Sequence, residues 1–418
     1  MTVRPLQIQD SKKYPWILVA ILWCCAFLNN GDRSLLVAVM PAIRDEFHLT
    51  NTQLALPTTI FFWVYAIAVF LTSRLGDKML RSQVILGGLV LWSIATGMVS
   101  LSTSFAMLIG MRAMVAIGEA PYYPSATALI SDWHPIKTRG RALSLHQTGV
   151  FAGALLGSLS AGYMADRMGW RAPFIVFGVL GLLFGVVVFK LLKDAPNRTA
   201  ELAERKNSEP LKIVLKTKPA LYLCLVFFLA TAASNGLTVW APTFVYDKLH
   251  TNLADSALVG SVTINAAGMF AVPLGGLLAD YLGLRTSLGR FYTLAIGLTI
   301  AGLMLLQLFL ANSLWGVAIV LLASTLGKGI FDGCIYAAMH DVIPPEARST
   351  AVGVMTMFGF FGAGIAPLFV ASMGEVFGMG VAISSLASLY FIAVGILLAT
   401  RSVTRAAIIH HHPVEVAA

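Results

Sequence analysis

The feature that most constrains the fold of this chain is a series of long apolar runs. A helix needs about 20 predominantly apolar residues to cross the hydrocarbon layer of a membrane, and each run is of that order. Polar breaks, or breaks that contain Gly or Pro, separate the runs, which lie near residues 15–40, 53–73, 83–101, 105–131, 141–164, 172–192, 219–246, 256–280, 290–311, 313–340, 349–373 and 379–400. The pattern predicts an all-α integral membrane protein with twelve transmembrane helices.

Charged residues are too scarce to cover the surface of a soluble protein of this length. They make up 12% of the 418 residues, against 57% apolar ones, whereas soluble domains have about 25% charged residues. The net charge of +9 comes from short basic clusters between the apolar runs, which is typical of membrane proteins rather than of nucleic-acid binders. The four cysteines lie inside apolar runs and are expected to be reduced and buried, without a disulfide or metal role. No cofactor is expected.

The basic residues also predict an orientation, because loops on the cytoplasmic side of a membrane are enriched in Lys and Arg. Placing the N terminus in the cytoplasm puts the basic clusters on alternate loops, and the opposite loops then hold only Arg44, Arg167, Arg171 and Lys248. The sequence therefore predicts a multi-pass protein of the inner (plasma) membrane with both termini cytoplasmic. The first run is too long for the apolar segment of a cleavable signal peptide, so it is predicted to be the first membrane helix.

One long hydrophilic stretch divides the chain into halves. Residues 193–217 carry charges of both signs and few apolar residues, and are predicted to form a cytoplasmic linker with a surface helix around Thr199–Lys206. The predicted domains are an N-terminal six-helix bundle over residues 1–192 and a C-terminal six-helix bundle over residues 218–418, which ends in a short cytoplasmic tail. Paired halves of this kind are common in secondary transporters.

A related motif follows the second helix of each half. The first copy, SRLGDKMLRS, occupies residues 73–82, and the second, GLLADYLGLRTS, occupies residues 276–287. Both resemble the G-x-x-x-D-[RK]-x-G-[RK] loop of the major facilitator superfamily, although Ser73 and Leu80 replace the two glycines in the first copy. The resemblance implies two pseudo-symmetric six-helix bundles that work by alternating access. It also implies a cytoplasmic gating role for Asp77, Lys78, Arg81, Gly276, Asp280, Gly283 and Arg285.

Two further motifs resemble the anion:cation symporters within that superfamily. The segment Asn29–Arg33 reads NNGDR where the family has N-Y-x-D-R, and Gly118–Pro124 keeps the family's G-E-A-P-x-x-P. The resemblance implies that Asp32 and Glu119 couple protons to transport and that Arg33 binds the anion. The spinster-like transporters also have Asp-Arg and Gly-Glu-Ala at these places, so they are a second resemblance.

Ionisable side chains deep in membrane helices are rare and usually functional. Asp32 and Arg33 lie in the first run, Arg112 and Glu119 in the fourth, and the helical rise brings Asp32, Arg33 and Arg112 to a similar depth. Because a guanidinium binds carboxylate through a bidentate fork, Arg33 or Arg112 is expected to bind the substrate, while Asp32 and Glu119 carry protons. The alternative is that Asp32 pairs with Arg112 only to neutralise buried charge. Glu119 has no basic residue within one turn of its own helix, which favours a functional role.

The second half contributes its own polar candidates. Lys328 and Asp332 in the tenth run have the i,i+4 spacing of an ion pair within one helix. Either this pair neutralises itself, or an anionic substrate displaces Asp332 from Lys328 and draws the second bundle around the cavity. Asn235 and Gln147 are candidates for hydrogen bonds to a polyhydroxylated solute, but each could equally bond a neighbouring helix.

Together these features predict a secondary active transporter that moves a small organic anion, such as a sugar acid or another carboxylate, together with protons. The alternatives are export of an amphipathic solute, such as a lysolipid or a drug, and anion exchange without protons. The sequence has no Gly-x-x-x-x-Gly-Lys-[Ser/Thr] loop and no constellation for hydrolysis, so neither ATP-driven transport nor an enzyme is expected. The expected partners are the anionic solute, protons and the lipid bilayer, and the protein is expected to be a monomer.

Overall fold

The computed structural model describes residues 13–72, 79–134, 136–195, 210–344 and 347–411, and the regular structure in these ranges is helical. The first half contains α1 (Tyr14–Phe47), α2 (Asn51–Thr72), α3 (Arg81–Val99), α4 (Phe105–Glu119), α5 (Tyr122–Trp133), α6 (Ile136–Met168) and α7 (Ala172–Leu191). A short helix, α8 (Pro210–Lys216), precedes the second half. The second half contains α9 (Lys218–Leu249), α10 (Leu253–Ala257), α11 (Thr263–Gly283), α12 (Gly289–Leu305), α13 (Leu314–Asp332), α14 (Ile335–Asp341), α15 (Arg348–Phe377), α16 (Met379–Ser385), α17 (Ala387–Ala399) and α18 (Arg401–His411).

Within the described ranges, eleven helical segments are long and apolar enough to cross a membrane. The remaining predicted crossing, the fourth, is split into α4 and α5. Pro121 lies at the break, where it lacks a backbone N–H to donate and its ring crowds the preceding turn. The all-α membrane fold is confirmed, and the fourth crossing is a broken helix whose first segment ends at Glu119.

Glycines let α6 approach α1 closely, as is common between membrane helices. A Cβ atom at Gly149 would lie 2.7 Å from the carbonyl oxygen of Trp23, and one at Gly157 would lie 2.6 Å from the Cα of Gly31. Neither distance leaves room for a side chain. This contact fixes the position of the segment of α1 that carries the charged residues.

Most helix packing occurs within each half. In the first half α1 packs along α6 and α3 along α7, and in the second half α9 packs along α15 and α13 along α11 and α12. The halves meet chiefly where α2 packs on α15 and α6 packs on α10, and α1 also touches α9 and α10 while α6 touches α11. The exact domain bounds and the role of residues 193–217 as a linker remain predictions, and the surface helix expected around residues 199–206 lies outside the described residues.

Polar bonds also join the halves at one end of the bundle, where α1 ends and α2 begins; we call it the 47–51 end. Arg44 donates two hydrogen bonds to Asp247, at 2.7 and 2.8 Å. The Asp166 carboxylate accepts from the backbone N–H groups of Leu253 and Ala254, at 3.2 and 2.9 Å, and Thr52 donates to Glu375 at 3.0 Å. The halves are therefore tied together at this end.

Candidate functional site

Helices α1 and α4 bring four ionisable side chains together inside the first half. Asp32, Arg112 and Glu119 are buried, and 20% of the Arg33 side chain is exposed. The break after Glu119 places this residue at the end of α4, about 21 Å along the helix from Phe105. The four predicted N-terminal site residues thus form one cluster of two acids and two bases, which we call the charged cluster.

An ion pair between the two helices is the strongest contact in the charged cluster. The Nε of Arg33 donates to Oε2 of Glu119 at 2.6 Å. Glu119 has no basic residue within a turn of its own helix, and its cation comes instead from α1. The other carboxylate oxygen, Oε1, is buried without a hydrogen-bond partner. This bond is charge-assisted, so it holds α1 against α4 most strongly while Glu119 is ionised.

The other two charged groups of the cluster do not pair with each other. Asp32 accepts a hydrogen bond from the hydroxyl of Thr96 on α3, at 3.1 Å, and its second carboxylate oxygen is buried without a partner. The Nε of Arg112 is likewise buried without a hydrogen-bond partner. No ion pair joins Asp32 to Arg112 among the described contacts, so the purely structural pairing considered for them is not formed here. Each keeps unused hydrogen-bonding capacity.

Aromatic rings of α2 support both guanidinium groups. The Cζ of Arg33 lies 4.5 Å from the ring centroid of Tyr65 and 5.3 Å from that of Phe61. The Cζ of Arg112 lies 4.7 Å from the same Phe61 centroid. Cations are attracted to the faces of such rings, most strongly where water is excluded. Neither Phe61 nor Thr96 was among the predicted site residues. The i,i+4 spacing of Phe61 and Tyr65 on α2 is the signal that could have identified Phe61.

In the second half, α13 carries the ion pair that its spacing predicts. The Nζ of Lys328 donates to Oδ1 of Asp332 at 2.6 Å. The Lys328 side chain is 9% exposed and the Asp332 side chain 37%, so the acid is the more accessible partner. Lys328 also lies 5.2 Å from the ring centroid of Phe331.

Two tyrosines from opposite halves lie near each other, and the one in the second half also lies near this ion pair. Tyr123 of α5 donates to the amide oxygen of Gln147 at 2.8 Å. Tyr336 of α14 is within electrostatic range of both Tyr123 and Asp332. The two tyrosines are 42% and 41% exposed although they lie inside the helix bundle, so they border open space between the halves. Gln147 is therefore placed at this space, as a candidate for solute binding requires.

One predicted polar residue, Asn235, forms a hydrogen bond to a neighbouring helix. The amide nitrogen of Asn235 donates to the backbone oxygen of Ala363 at 2.7 Å, which ties α9 to α15. This is the helix-bonding alternative that the sequence left open for Asn235. A further bond between helices, not among the predicted ones, joins Asp341 of α14 to Arg290 of α12 at 2.5 Å.

The predicted gating motif is only partly covered by the described residues, because Asp77 and Lys78 lie outside them. Arg81 forms an ion pair with Asp132, and its backbone N–H donates to Asp194 at 2.8 Å. These contacts join α3 to the ends of α5 and α7, all within the first half.

The second copy of the motif begins in the last turns of α11 and extends past its C-terminal end. The guanidinium of Arg285 lies 4.4 Å from the ring centroid of Tyr281 and donates to its hydroxyl. A Cβ atom at Gly276 or Gly283 would meet no neighbour within 4 Å. Neither glycine is therefore required by close packing in this conformation, and the gating roles of this copy, Asp280 included, remain predictions.

Comparison with known proteins places these features in a family. The chain is 26% identical to the hexuronate transporter of Bacillus subtilis (strain 168) over 285 residues, which is 66% of this chain and 67% of that protein. It is 26% identical to the protein spinster of Drosophila melanogaster over 365 residues, which is 84% of this chain and 60% of that protein.

The fold is also that of a solved structure. A bacterial homolog of the human lysosomal transporter spinster, in an inward-facing and occupied conformation, superposes with a TM-score of 0.77 at 22% sequence identity. The match covers 97% of this chain and 99% of that one. At this level of identity the similarity concerns the fold.

The model of the Major Facilitator Superfamily matches residues 22–367, which include most of both halves and every residue of the charged cluster. Members of this superfamily are transporters and not enzymes. The chain described here belongs to the Major Facilitator Superfamily and is a multi-pass membrane transporter.

Proposed function

We propose that this transporter takes up a small organic anion, a sugar acid or another carboxylate, together with protons. The observation that carries the proposal is the 2.6 Å bond between Arg33 and Glu119 in a cluster whose other acid and base are not paired with each other. When the acid of such a pair takes up a proton, its guanidinium partner becomes available to bind an anion. The hexuronate transporter among the relatives agrees with a sugar-acid substrate.

Charge balance gives the coupling its physical basis. With all four groups ionised, the two acids and two bases of the cluster neutralise one another. A substrate carboxylate adds a negative charge to a buried site, where an uncompensated charge is costly. A proton taken up by Glu119 or Asp32 restores neutrality, so anion and proton bind together.

In this mechanism Glu119 and the substrate carboxylate bind Arg33 in turn. Protonation of Glu119 removes the charge that holds the Arg33 guanidinium, and the fork of Arg33 is free to bind the substrate carboxylate. Loss of the proton on the other side of the membrane returns Arg33 to Glu119 and releases the substrate. Asp32, next to Arg33 and with one unpartnered oxygen, is the second proton carrier, and Arg112 adds positive charge to the site.

We also propose how the protein is oriented in the membrane and that it acts as a monomer. The protein lies in the inner membrane as a monomer with both termini cytoplasmic, so the 47–51 end is the outer face. The ties between the halves at that end then close the outer side, and the space between Tyr123 and Tyr336 opens inward. The motif residues around Asp77 and Asp280 act as latches on the cytoplasmic side in the opposite state.

A second candidate is transport of an amphipathic solute, and the similarity to spinster favours it. The rings of Phe62, Tyr65 and Phe360 line the contact between α2 and α15, with centroids 6.0 and 4.6 Å from Phe360. An acyl chain would pack against such rings. This candidate gives no role to the unpaired Asp32 and Arg112, and anion exchange without protons gives no role to Asp32.

Uptake into proteoliposomes with an imposed pH gradient separates these functions. Glucuronate and gluconate are compared with a lysophospholipid, with a protonophore as the control. Proton symport predicts that a sugar acid accumulates above its external concentration and that the protonophore abolishes the excess. Carboxylate movement indifferent to the gradient would indicate exchange, and movement of the lysophospholipid alone would overturn the proposal.

A further inference from the structure

We infer that Thr96 is a positioning residue for proton transfer, whose hydroxyl holds the Asp32 carboxylate and favours release of the proton that Asp32 carries. The inference rests on the proposed function, which makes Asp32 a proton carrier. It deepens that function by assigning control of one proton step to a side chain of α3 that does not itself take up a proton.

The contact between Thr96 and Asp32 is enclosed by protein and joins two helices. Oγ1 of Thr96 donates to Oδ2 of Asp32 at 3.1 Å, and the two residues are 1% and 2% exposed. Threonine hydroxyls within helices often donate to the carbonyl one turn earlier on the same helix, as those of Thr72 and Thr299 do here at 2.7 and 2.8 Å. The hydroxyl of Thr96 donates across to α1 instead, so it serves the acid rather than its own backbone.

The two carboxylate oxygens of Asp32 have different surroundings. Oδ2 accepts the Thr96 bond, whereas Oδ1 is buried without a hydrogen-bond partner. A proton therefore adds most readily at Oδ1, and Oδ2 remains the acceptor for Thr96. Because a hydrogen bond to a charged acceptor is stronger than one to a neutral acceptor, the Thr96 bond stabilises the carboxylate more than the protonated acid. The bond thus favours loss of the proton.

Close packing against α7 fixes where the Thr96 hydroxyl lies. Next to Thr96 on α3, Gly97 meets Gly178 of α7, where a Cβ atom on Gly178 would lie 2.8 Å from the Cα of Gly97. The residue before the acid on α1 is equally confined, since a Cβ atom at Gly31 would lie 2.5 Å from the ring of Phe177, also on α7. The donor and the acceptor are therefore held at this separation by the backbones of their helices.

The charged groups around Asp32 are engaged elsewhere. Those within electrostatic range are Arg33 beside it on α1 and Arg112 and Glu119 of α4. Arg33 is bonded to Glu119, and no bond joins Arg112 to Asp32 among the described contacts. Helix α2 brings Tyr65 to the neighbouring Arg33, while α6 and α7 face this part of α1 with a glycine and a phenylalanine ring. Since Arg33 changes partner in the proposed mechanism, the hydroxyl from α3 is the contact to Asp32 that does not depend on the substrate.

Infrared spectroscopy of the purified full-length protein tests the inference without a substrate. The band of a protonated carboxyl group that is lost in Asp32→Asn reports the protonation of Asp32 and is titrated against pH. Thr96→Val replaces the hydroxyl with a methyl group of similar size and should move the midpoint of this band by about one unit to higher pH, a tenfold change in proton affinity. Thr96→Ala should move it in the same direction, whereas Thr96→Ser keeps the hydroxyl and should titrate close to wild type.

Ser93→Ala is the matched control, because Ser93 lies one turn earlier on α3 and its buried Oγ has no hydrogen-bond partner. It should leave the midpoint unchanged. Transport in proteoliposomes gives a second readout, since net uptake of gluconate requires proton release and exchange of external for preloaded gluconate does not. Thr96→Val should slow net uptake by up to about tenfold, following the change in proton affinity, while continued exchange shows that the variant is folded.

The inference is overturned if Thr96→Val titrates as wild type does, or if Thr96→Ser or Ser93→Ala shifts the midpoint as far as Thr96→Val. It is also overturned if no carboxyl band is lost in Asp32→Asn, because Asp32 would then not take up a proton. Failure of the proposed function has a different signature: wild-type protein would not accumulate a sugar acid in a pH gradient, while the infrared titration would still report whether Thr96 acts on Asp32.

Discussion

Arg33 and Arg112 share the ring of Phe61, with their guanidinium carbons 5.3 and 4.7 Å from its centroid. The two arginines come from α1 and α4, and the ring from α2, so three helices meet at this point. Two like charges near one ring repel each other, and the ring face offsets part of that repulsion. The charged cluster is thus built around an aromatic residue as well as around ions.

Replacing this ring should weaken anion binding. Phe61→Leu removes cation–π contacts worth about 0.5–2 kcal/mol, so the half-saturating concentration of a transported sugar acid should rise about two- to thirtyfold. Phe61→Tyr keeps the ring face and should stay close to wild type. Equal affinity in Phe61→Leu and wild type would show that the ring does not support the site.

Arg33→Lys should also weaken binding, because Lys keeps the charge but lacks the bidentate fork. Loss of one charge-assisted hydrogen bond, worth about 1.5–3 kcal/mol, predicts an apparent affinity about 10- to 150-fold weaker. Arg171→Lys is the matched control, since Arg171 pairs with Glu46 at 2.6 Å in a half-exposed contact at the 47–51 end. If both variants bind the anion as wild type does, charge alone is sufficient at Arg33.

The contact between α1 and α6 should be sensitive to a single added methyl group. Gly157→Ala places a Cβ atom 2.6 Å from the Cα of Gly31, and overpacking of this kind costs about 1–3 kcal/mol. The thermal unfolding temperature in detergent should therefore fall. Gly110→Ala is the control, because a Cβ atom there meets no neighbour within 4 Å and Ala favours the helix. Similar unfolding temperatures for both variants would contradict the close packing.

The Arg44–Asp247 pair should bias the transporter towards closure of the 47–51 end. Surface ion pairs are worth about 0–1 kcal/mol, so Arg44→Ala should raise the population open at this end by up to about fivefold. Spin labels at Leu49 and His250 report the distance across that end. The longer distance should gain population in Arg44→Ala and lose it again in the charge swap Arg44→Asp with Asp247→Arg. An unchanged distance distribution in Arg44→Ala would show that this pair does not hold the 47–51 end closed.

Features that depend on local spacing could be read from the sequence. The apolar runs predicted the membrane fold, and the i,i+4 spacing predicted the ion pair between Lys328 and Asp332, because both follow from the geometry of one helix. Pro121 was visible in the fourth run, but where the helix breaks around it depends on how neighbouring helices pack there.

Contacts between helices could not be read in this way. Arg33 and Glu119 are 86 positions apart, and one sequence does not specify how α1 is rotated against α4. The same limit applies to Asn235, whose bond to Ala363 depends on the register of α9 on α15. The sequence identified the ionisable residues of the site, and the structure showed which of them are bonded.

The proton-coupling role of Glu119 is tested most directly by Glu119→Gln, which keeps the shape and a hydrogen-bond acceptor for Arg33 but cannot carry a proton. In proteoliposomes with a pH gradient, the variant should not accumulate a sugar acid above its external concentration, although exchange of external for preloaded solute should continue. Accumulation equal to that of wild type would contradict the assignment of Glu119 as a proton carrier.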